Sequence, residues 1–266
     1  MSPKINIVTR VSRKESFIKC YESVNSQTYK NINHICTYQN QEIHDFLLSF
    51  DNLNLLKVPN LKSIGGLFYS FNSHCDTDKF ITPNWEMLDR KVESTNQIEQ
   101  YSLTINSRKI QKRLTEDAWF YCHTPNFTFR WANKHFPYNI FLKIAEKKFV
   151  DGWVIYLDDD DHFAETTSLE QIIQEINSHD DDTIHVWRTK FKNGVLKPTD
   201  NYWTKMSCGY PFILNEVGGS VFTFHTKWAD WTAWDEWSGA DYRTLKSLEE
   251  IIPKKNFIDK IFIHLC

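Results

Sequence analysis

Apolar and polar positions along this chain follow two periods, and the switches between them mark out its elements. Lys4 to Thr9 sets Ile5, Ile7 and Val8 in a short β-branched run, which predicts a buried strand. From Ser12 the apolar residues Phe17, Ile18, Tyr21 and Val24 recur at helical spacing, with Ser12 and Glu15 in capping-box register, so a helix is predicted to Ser26. Ile32 to Tyr38 reads as a second strand, Glu42 to Phe50 as a second helix, and Leu53 to Val58 as a third strand stopped by Pro59. This β-α-β-α-β opening is the order of a parallel α/β sheet.

Between residues 60 and 135 the alternation fades. Helical patches stand out at Glu86 to Thr95 and Ile110 to Trp119, which predicts a largely helical insertion. Pro137 to Lys148 reads as a helix with Pro near its start, and Asp151-Gly152 as a turn. Trp153 to Leu157 is a continuous apolar run, the mark of a central strand, and it leads directly into Asp158-Asp159-Asp160-Asp161. A helix at Leu169 to Ser178, a strand at Thr183 to Phe191, a type I′ hairpin at Asn193-Gly194, a strand within Val217 to His225 and a helix at Tyr242 to Ile251 follow. Ile258 to Leu265 closes the chain as extended or helical sequence. The expected fold class is α/β with a mixed, mostly parallel central sheet flanked by helices.

Composition removes several functions. With 31 Lys+Arg against 34 Asp+Glu there is no basic field to hold nucleic acid or anionic lipid. The eight glycines form neither a dinucleotide-binding G-x-G-x-x-G nor a P-loop. Six scattered cysteines, without a C-x-x-C pair, read as reduced packing thiols. No apolar run is long enough to cross a membrane and no signal-peptide pattern opens the chain, so a cytoplasmic protein is expected. Of the ten Trp, five lie between Trp203 and Trp237, a local aromatic concentration.

Four adjacent carboxylates at the end of a buried strand repel one another unless a cation relieves them. Ligand crevices of open α/β sheets lie at the carboxyl ends of strands, where this run falls. If the chain stays extended, Asp158 and Asp160 point to one side and Asp159 and Asp161 to the other, and one pair can hold a hard, oxygen-seeking ion. Asp180-Asp181-Asp182, after a helix and polar residues, reads instead as an exposed loop. Arg10 and Arg13, just past the first strand, face the same crevice and suit a diphosphate or base; each reads equally well as a solvated charge at a helix start.

Ile7-Val8-Thr9-Arg10, the Ser23-Val24-Asn25-Ser26-Gln27-Thr28-Tyr29 stretch and Trp153 to Asp161 together resemble glycosyltransferase family 2, with its GT-A fold and nucleotide-sugar donors. Pro137-Tyr138-Asn139 is similar to the Asn-bearing helix before the family's acidic strand. Gly218-Gly219-Ser220 with Gly239-Ala240-Asp241-Tyr242 is similar to its acceptor-side motif. Enzymes building surface glycans in large DNA viruses and bacteria look most alike. The resemblance implies a single GT-A domain over residues 1–266 with an insertion at 60–135. It also implies a nucleotide-sugar donor, UDP-linked by preference, and a glycan acceptor.

The resemblance further implies donor contacts from Thr9, Arg10, Arg13, Gln39, Asn139, Asp158 and Asp159. Mn2+ or Mg2+ would lie on Asp160 with Asp158, with Asp161 and a late His264 as further ligands. Asp241 would be the base of an inverting transfer, although an Asp just ahead of a helix is also an N-cap, and the two roles are compatible. Gly219, Trp203, Trp231 and Trp234 would face the acceptor; Trp228, Trp231, Trp234 and Trp237 repeat every third residue and could align their rings on one helical face, with core packing the alternative fate. After the second strand the chain reads Thr37-Tyr38-Gln39-Asn40, amides where the family usually has a base-reading Asp. That departure leaves open a non-catalytic sugar- or nucleotide-binding module that kept the fold.

Overall fold

The structure is a computed structural model that describes residues 2–59, 66–71, 93–95, 98–105, 108–114, 120–124, 127–134, 137–213, 216–234 and 239–265. Contacts divide the chain into two compact units, Met1–Leu61, Tyr138–Asp235 and Gly239–Cys266 in one, Lys62–Pro137 and Glu236–Ser238 in the other.

The larger unit opens as the periodicity predicts, with β1 (Ile5–Arg10), α1 (Lys14–Asn25), β2 (Ile32–Tyr38), α2 (Gln41–Leu47) and β3 (Leu53–Lys57). The smaller unit holds β4 (Gly66–Phe71), β5 (Glu93–Thr95), β6 (Ile98–Ile105), β7 (Arg108–Leu114), β8 (Phe120–Thr124) and β9 (Phe127–Lys134), antiparallel throughout in the order β4-β9-β8-β7-β6-β5. Among the described residues this corrects the expectation of a largely helical insertion. Ile110 and Leu114 are four apart and read as a helix face, whereas the strand signal was the two-residue alternation of Phe127, Phe129 and Trp131. Residues 86–92 of the other expected helical patch, and 115–119 of this one, lie outside the described residues.

The chain returns to the larger unit through a 3-10 turn, Pro137–Asn139, into α3 (Ile140–Ala145). Then come β10 (Trp153–Tyr156), β11 (His162–Phe163), α4 (Ser168–Asn177), β12 (Thr183–Phe191), β13 (Leu196–Lys197), α5 (Asp200–Ser207), β14 (Phe222–His225), α6 (Ala240–Ile251) and β15 (Lys254–Leu265). The sheet order is β11-β15-β12-β14-β10-β1-β2-β3, with β13 paired to β12. β1 lies parallel between β10 and β2, β14 runs antiparallel to β10, and β15 lies parallel to β12. The hairpin at Asn193-Gly194 forms, but only Gly194 takes a positive φ, so its turn is not type I′.

Ile5, Ile7, Phe17, Leu47, Trp153, Ile155, Trp187 and Phe262 belong to one buried cluster, each large side chain contributing roughly 1.5–3 kcal/mol on burial. Asn6 is fully buried among them and satisfied: its amide donates to the carbonyls of Val150 at 2.8 Å and Trp153 at 3.2 Å. Gly152 sits at φ 146°, and a Cβ there would lie 2.1 Å from the Lys4 carbonyl oxygen, so the turn into β10 admits only glycine. Gln27 is buried between α1 and α4. Its Nε2 donates to the carbonyls of Ser23 at 2.9 Å and Glu165 at 2.8 Å, and its Oε1 accepts from the Leu169 amide at 2.9 Å.

Candidate functional site

Parallel register brings the ends of β1, β2 and β10 to one edge of the sheet, Arg10 opposite Thr37 and Val8 opposite Tyr156. Leu157 extends the ladder by donating its N–H to the Val8 carbonyl at 2.9 Å, and the acidic run starts there. It does not stay extended. The Asp161 N–H closes a turn onto the Asp158 carbonyl at 3.0 Å, so the two-sided alternation is lost and each carboxylate meets its own partner.

Asp158 accepts Arg10 Nε at 2.9 Å on one oxygen and Arg10 Nη2 at 3.1 Å on the other, while Arg10 Nη1 donates to Asn139 Oδ1 at 2.6 Å. Burial works against the Arg10 charge, but the adjacent Asp158 outweighs it and holds the guanidinium above its ordinary pKa. Asp159 is 1% exposed and ties down the start of α1. It accepts the backbone N–H groups of Ser12 at 2.7 Å and Arg13 at 2.8 Å, the Ser12 hydroxyl at 3.0 Å, Arg13 Nε at 2.8 Å, and Arg13 Nη2. The expected Ser12–Glu15 capping box is therefore absent: Arg13 is the N-cap, without a side-chain cap bond, and the Ser12 hydroxyl donates to a stronger, charged acceptor.

Asp160, its side chain 22% exposed, takes Arg13 Nη1 at 2.5 Å. Asp161 is turned inward, 6% exposed, where Ser220 Oγ donates to it at 2.9 Å. The comparison triplet behaves as read, with Asp180 and Asp181 exposed and Asp180 paired to Lys254 at the surface.

Among the described residues no group of three or more His, Cys, Asp or Glu side chains is arranged to hold a metal ion. Mg2+ and similar ions commonly take one or two carboxylates plus substrate phosphate oxygens, not an all-protein cage. The partly exposed Asp158 and Asp160 fit an ion arriving with a diphosphate. His264 is an extended residue of β15 paired with His162, the residue after the acidic run; their rings lie 5.4 Å apart, edge to face. Burial first, then Lys19 and His264, lower the His162 pKa to about 4.

On the opposite motif, Asp241 occupies the first turn of α6 behind Gly239, which is the N-cap at φ 77°. Its Oδ1 accepts the Tyr242 N–H at 2.8 Å, and a Cβ on Gly218 would stand 3.6 Å from its other oxygen. Burial raises the Asp241 pKa, and the charge of Asp158 adds to the rise; the Tyr242 N–H and Arg243 offset it only in part. Asp241 and Asp158 thus share one electrostatic neighbourhood. A Cβ at Gly219 would be 3.5 Å from Trp234 Cη2 and 3.8 Å from Tyr156 Cβ, so glycine brings this turn close to the indole. Trp234 is buried edge-on against Tyr156 with centroids 4.8 Å apart, whereas Trp231 is 56% exposed.

Several expected site residues face elsewhere. Thr9 is fully buried with its hydroxyl 3.1 Å from His34 Nε2, because it alternates inward from Arg10 on the same strand. Trp203 packs inside, its ring beneath the Arg188 guanidinium at 4.8 Å and edge-on to Phe257, so it presents no face to an acceptor. Gln39 donates to the Pro59 carbonyl at 3.2 Å, and Asn40 caps α2 by accepting the Ile43 N–H at 2.9 Å. The row of Trp does not align: Trp228 is tied to the Asp181 carbonyl at 3.1 Å, the 3-10 turn ends at Trp231, and Trp237 lies outside the described residues. The sequence reading gave Ser12 only a capping role and Ser220 only a place in the acceptor-side motif, though each binds an aspartate of the run. Their proximity depends on tertiary folding that no local pattern encodes.

No known family profile matches the chain, and no curated protein matches it in sequence. In fold it is similar to crystal structures of S. aureus TarS, a GT-A-type glycosyltransferase. Against TarS 1–349 the TM-score is 0.55 at 12% identity, covering 98% of this chain and 60% of the other. Against the longer TarS chain the values are 0.52, 10%, 98% and 36%. The TarS 1–349 complex with UDP-GlcNAc gives 0.51, 12%, 98% and 58%. The chain therefore has the GT-A fold and spans at most 60% of these chains' length.

Proposed function

We propose that this chain transfers a sugar from a nucleoside-diphosphate donor, UDP-linked by preference, to a hydroxyl of a glycan acceptor, with inversion. The observation that carries this reading is the pairing of a donor-side carboxylate, Asp158, with a buried Asp241 that lies against Gly218 of the acceptor-side motif and whose pKa is raised by burial and then by the Asp158 charge. The fold of TarS, solved with UDP and with UDP-GlcNAc, supports the choice of donor. In this reading residues 1–266 act as one GT-A domain carrying 60–135 as an insertion, in the cytoplasm.

Arg10, fixed by Asn139, holds Asp158 in position to orient the donor's ribose or sugar. Asp160, with Asp158, would hold Mn2+ or Mg2+, which when bound supplies Lewis-acid neutralisation of the leaving diphosphate. Asp241 takes the acceptor hydroxyl's proton as that oxygen attacks the anomeric carbon opposite the leaving group, and its raised pKa makes it the stronger base. The exposed Trp231 offers a ring face to a sugar, and Gly219 lies close against the Trp234 indole.

A second reading, a binding module without turnover, draws on the segment after β2: Asn40 is engaged as a cap and Gln39 is tied to Pro59, so no carboxylate there reads a base. One experiment separates the two. Melting temperatures with UDP, GDP, CMP and dTDP, each with Mn2+ or EDTA, should reveal one Mn2+-dependent stabiliser that Asp160→Ala abolishes. Release of that nucleoside diphosphate from its sugar conjugate then marks an enzyme. Stabilisation without release marks a nucleotide-binding module, and no stabilisation by any nucleotide refutes the transferase and favours a sugar-binding module.

A further inference from the structure

Arg13 is the side chain that bridges two members of the acidic run. Its Nε and Nη2 meet one oxygen of Asp159 while Nη1 reaches Asp160 Oδ2 at 2.5 Å. The two carboxylates differ in kind. Asp159 is buried and already neutralised by two backbone N–H groups and a hydroxyl besides Arg13, so its position is structural. Asp160 is partly exposed and ion-paired to Arg13. The Arg13 side chain is itself 53% exposed, leaving it free to reorient toward solvent with little loss of burial. Arg10, by contrast, is clamped on two sides by Asp158 and Asn139.

We propose that Arg13 is an internal counter-cation for Asp160: it yields that carboxylate to a divalent ion when a nucleoside diphosphate arrives, and the released guanidinium turns onto the phosphates. The inference rests on the donor-site reading above and adds to it a residue that trades one anion for another. A guanidinium and a divalent ion cannot share Asp160 at contact distance without strong repulsion. A freed planar fork matches phosphate oxygens in pairs, which an ammonium does not. Metal alone therefore has to displace Arg13 without return, whereas metal with diphosphate offers the displaced charge a new partner.

The test is Mn2+ binding to the full chain, read from the free-ion electron paramagnetic resonance signal, with and without UDP. Arg13→Gln should bind Mn2+ alone roughly tenfold more tightly than the wild type, and bind UDP in saturating Mn2+ roughly tenfold more weakly. Opposite signs from one substitution are not produced by a merely structural loss, which weakens both. Arg13→Lys, which keeps the charge but not the fork, should leave Mn2+ affinity near wild type and still weaken UDP; it also guards against misfolding of the first variant. Unchanged or weaker Mn2+ binding in Arg13→Gln, with Mn2+ and UDP still binding the wild type together, overturns the exchange alone. Absence of Mn2+ binding in the wild type even with UDP overturns both the exchange and the metal-dependent reading.

Discussion

Replacing Asp159 by alanine should unfold this protein far more readily than replacing its neighbour Asp160. The Asp159 carboxylate accepts two backbone N–H groups, at 2.7 and 2.8 Å, where β1 passes into α1. Removing it orphans both, and a donor left unsatisfied costs about 1–3 kcal/mol. Ser12 and Arg13 are exposed, so water reaches these amides in part and the lower half of that range applies. The ion pair with the half-exposed Arg13 adds about 0–1 kcal/mol. Asp159→Ala is therefore expected to lose about 3 kcal/mol, and Asp160→Ala, which surrenders only the exposed pair, less than about 1 kcal/mol. At about 2–4 °C per kcal/mol for a chain of this size, Tm falls by roughly 6–12 °C in the first variant and about 4 °C or less in the second. Differential scanning fluorimetry without ligands measures both. Equal losses, or a larger loss for Asp160→Ala, would refute the assignment of Asp159 as the anchor of α1.

Asp241→Asn should reduce sugar transfer by about 10²–10⁴-fold while raising Tm at neutral pH. The reason is linkage: a carboxyl whose folded pKa is raised penalises the folded state above that pKa, and the penalty vanishes as pH falls through it to the unfolded value, so the Tm gain should vanish there too. His34, buried and lowered to about 4 by desolvation, protonates first in the unfolded chain; stability should fall as pH drops from about 6.5 to about 4, by up to about 3 kcal/mol, and urea titrations of His34→Gln should show a flatter profile. Gly152→Ala should cost more than about 3 kcal/mol, since its Cβ would collide with backbone, whereas Gly219→Ala meets only ordinary contacts and should melt within a few degrees of wild type.

The opening strands, the central apolar strand and α6 were legible because their periodicity is local and their burial uniform. The insertion was misread because an isolated i, i+4 pair such as Ile110 and Leu114 carries a helix signal that cross-strand pairing overrides. At the site, sequence found the acidic run, Arg10, Asn139 and Asp241, each at an element boundary. It did not show that the run turns, that Asp159 and Asp161 face inward, or that Thr9 and Trp203 are core. Those facts depend on which side of a strand or helix meets the rest of the molecule.

Gln27 gives the recognisable Ser-Val-x-x-Gln-Thr-Tyr stretch a meaning separate from chemistry. Its amide links the end of one helix to the start of another and touches none of the four aspartates. A lineage that abandoned catalysis would still keep this residue, since losing it would undo the joint. Proteins gathered by that stretch alone would share a carpentry and not a trade; on the proposed reading, Asp160 and Asp241 would sort out the ones still at work.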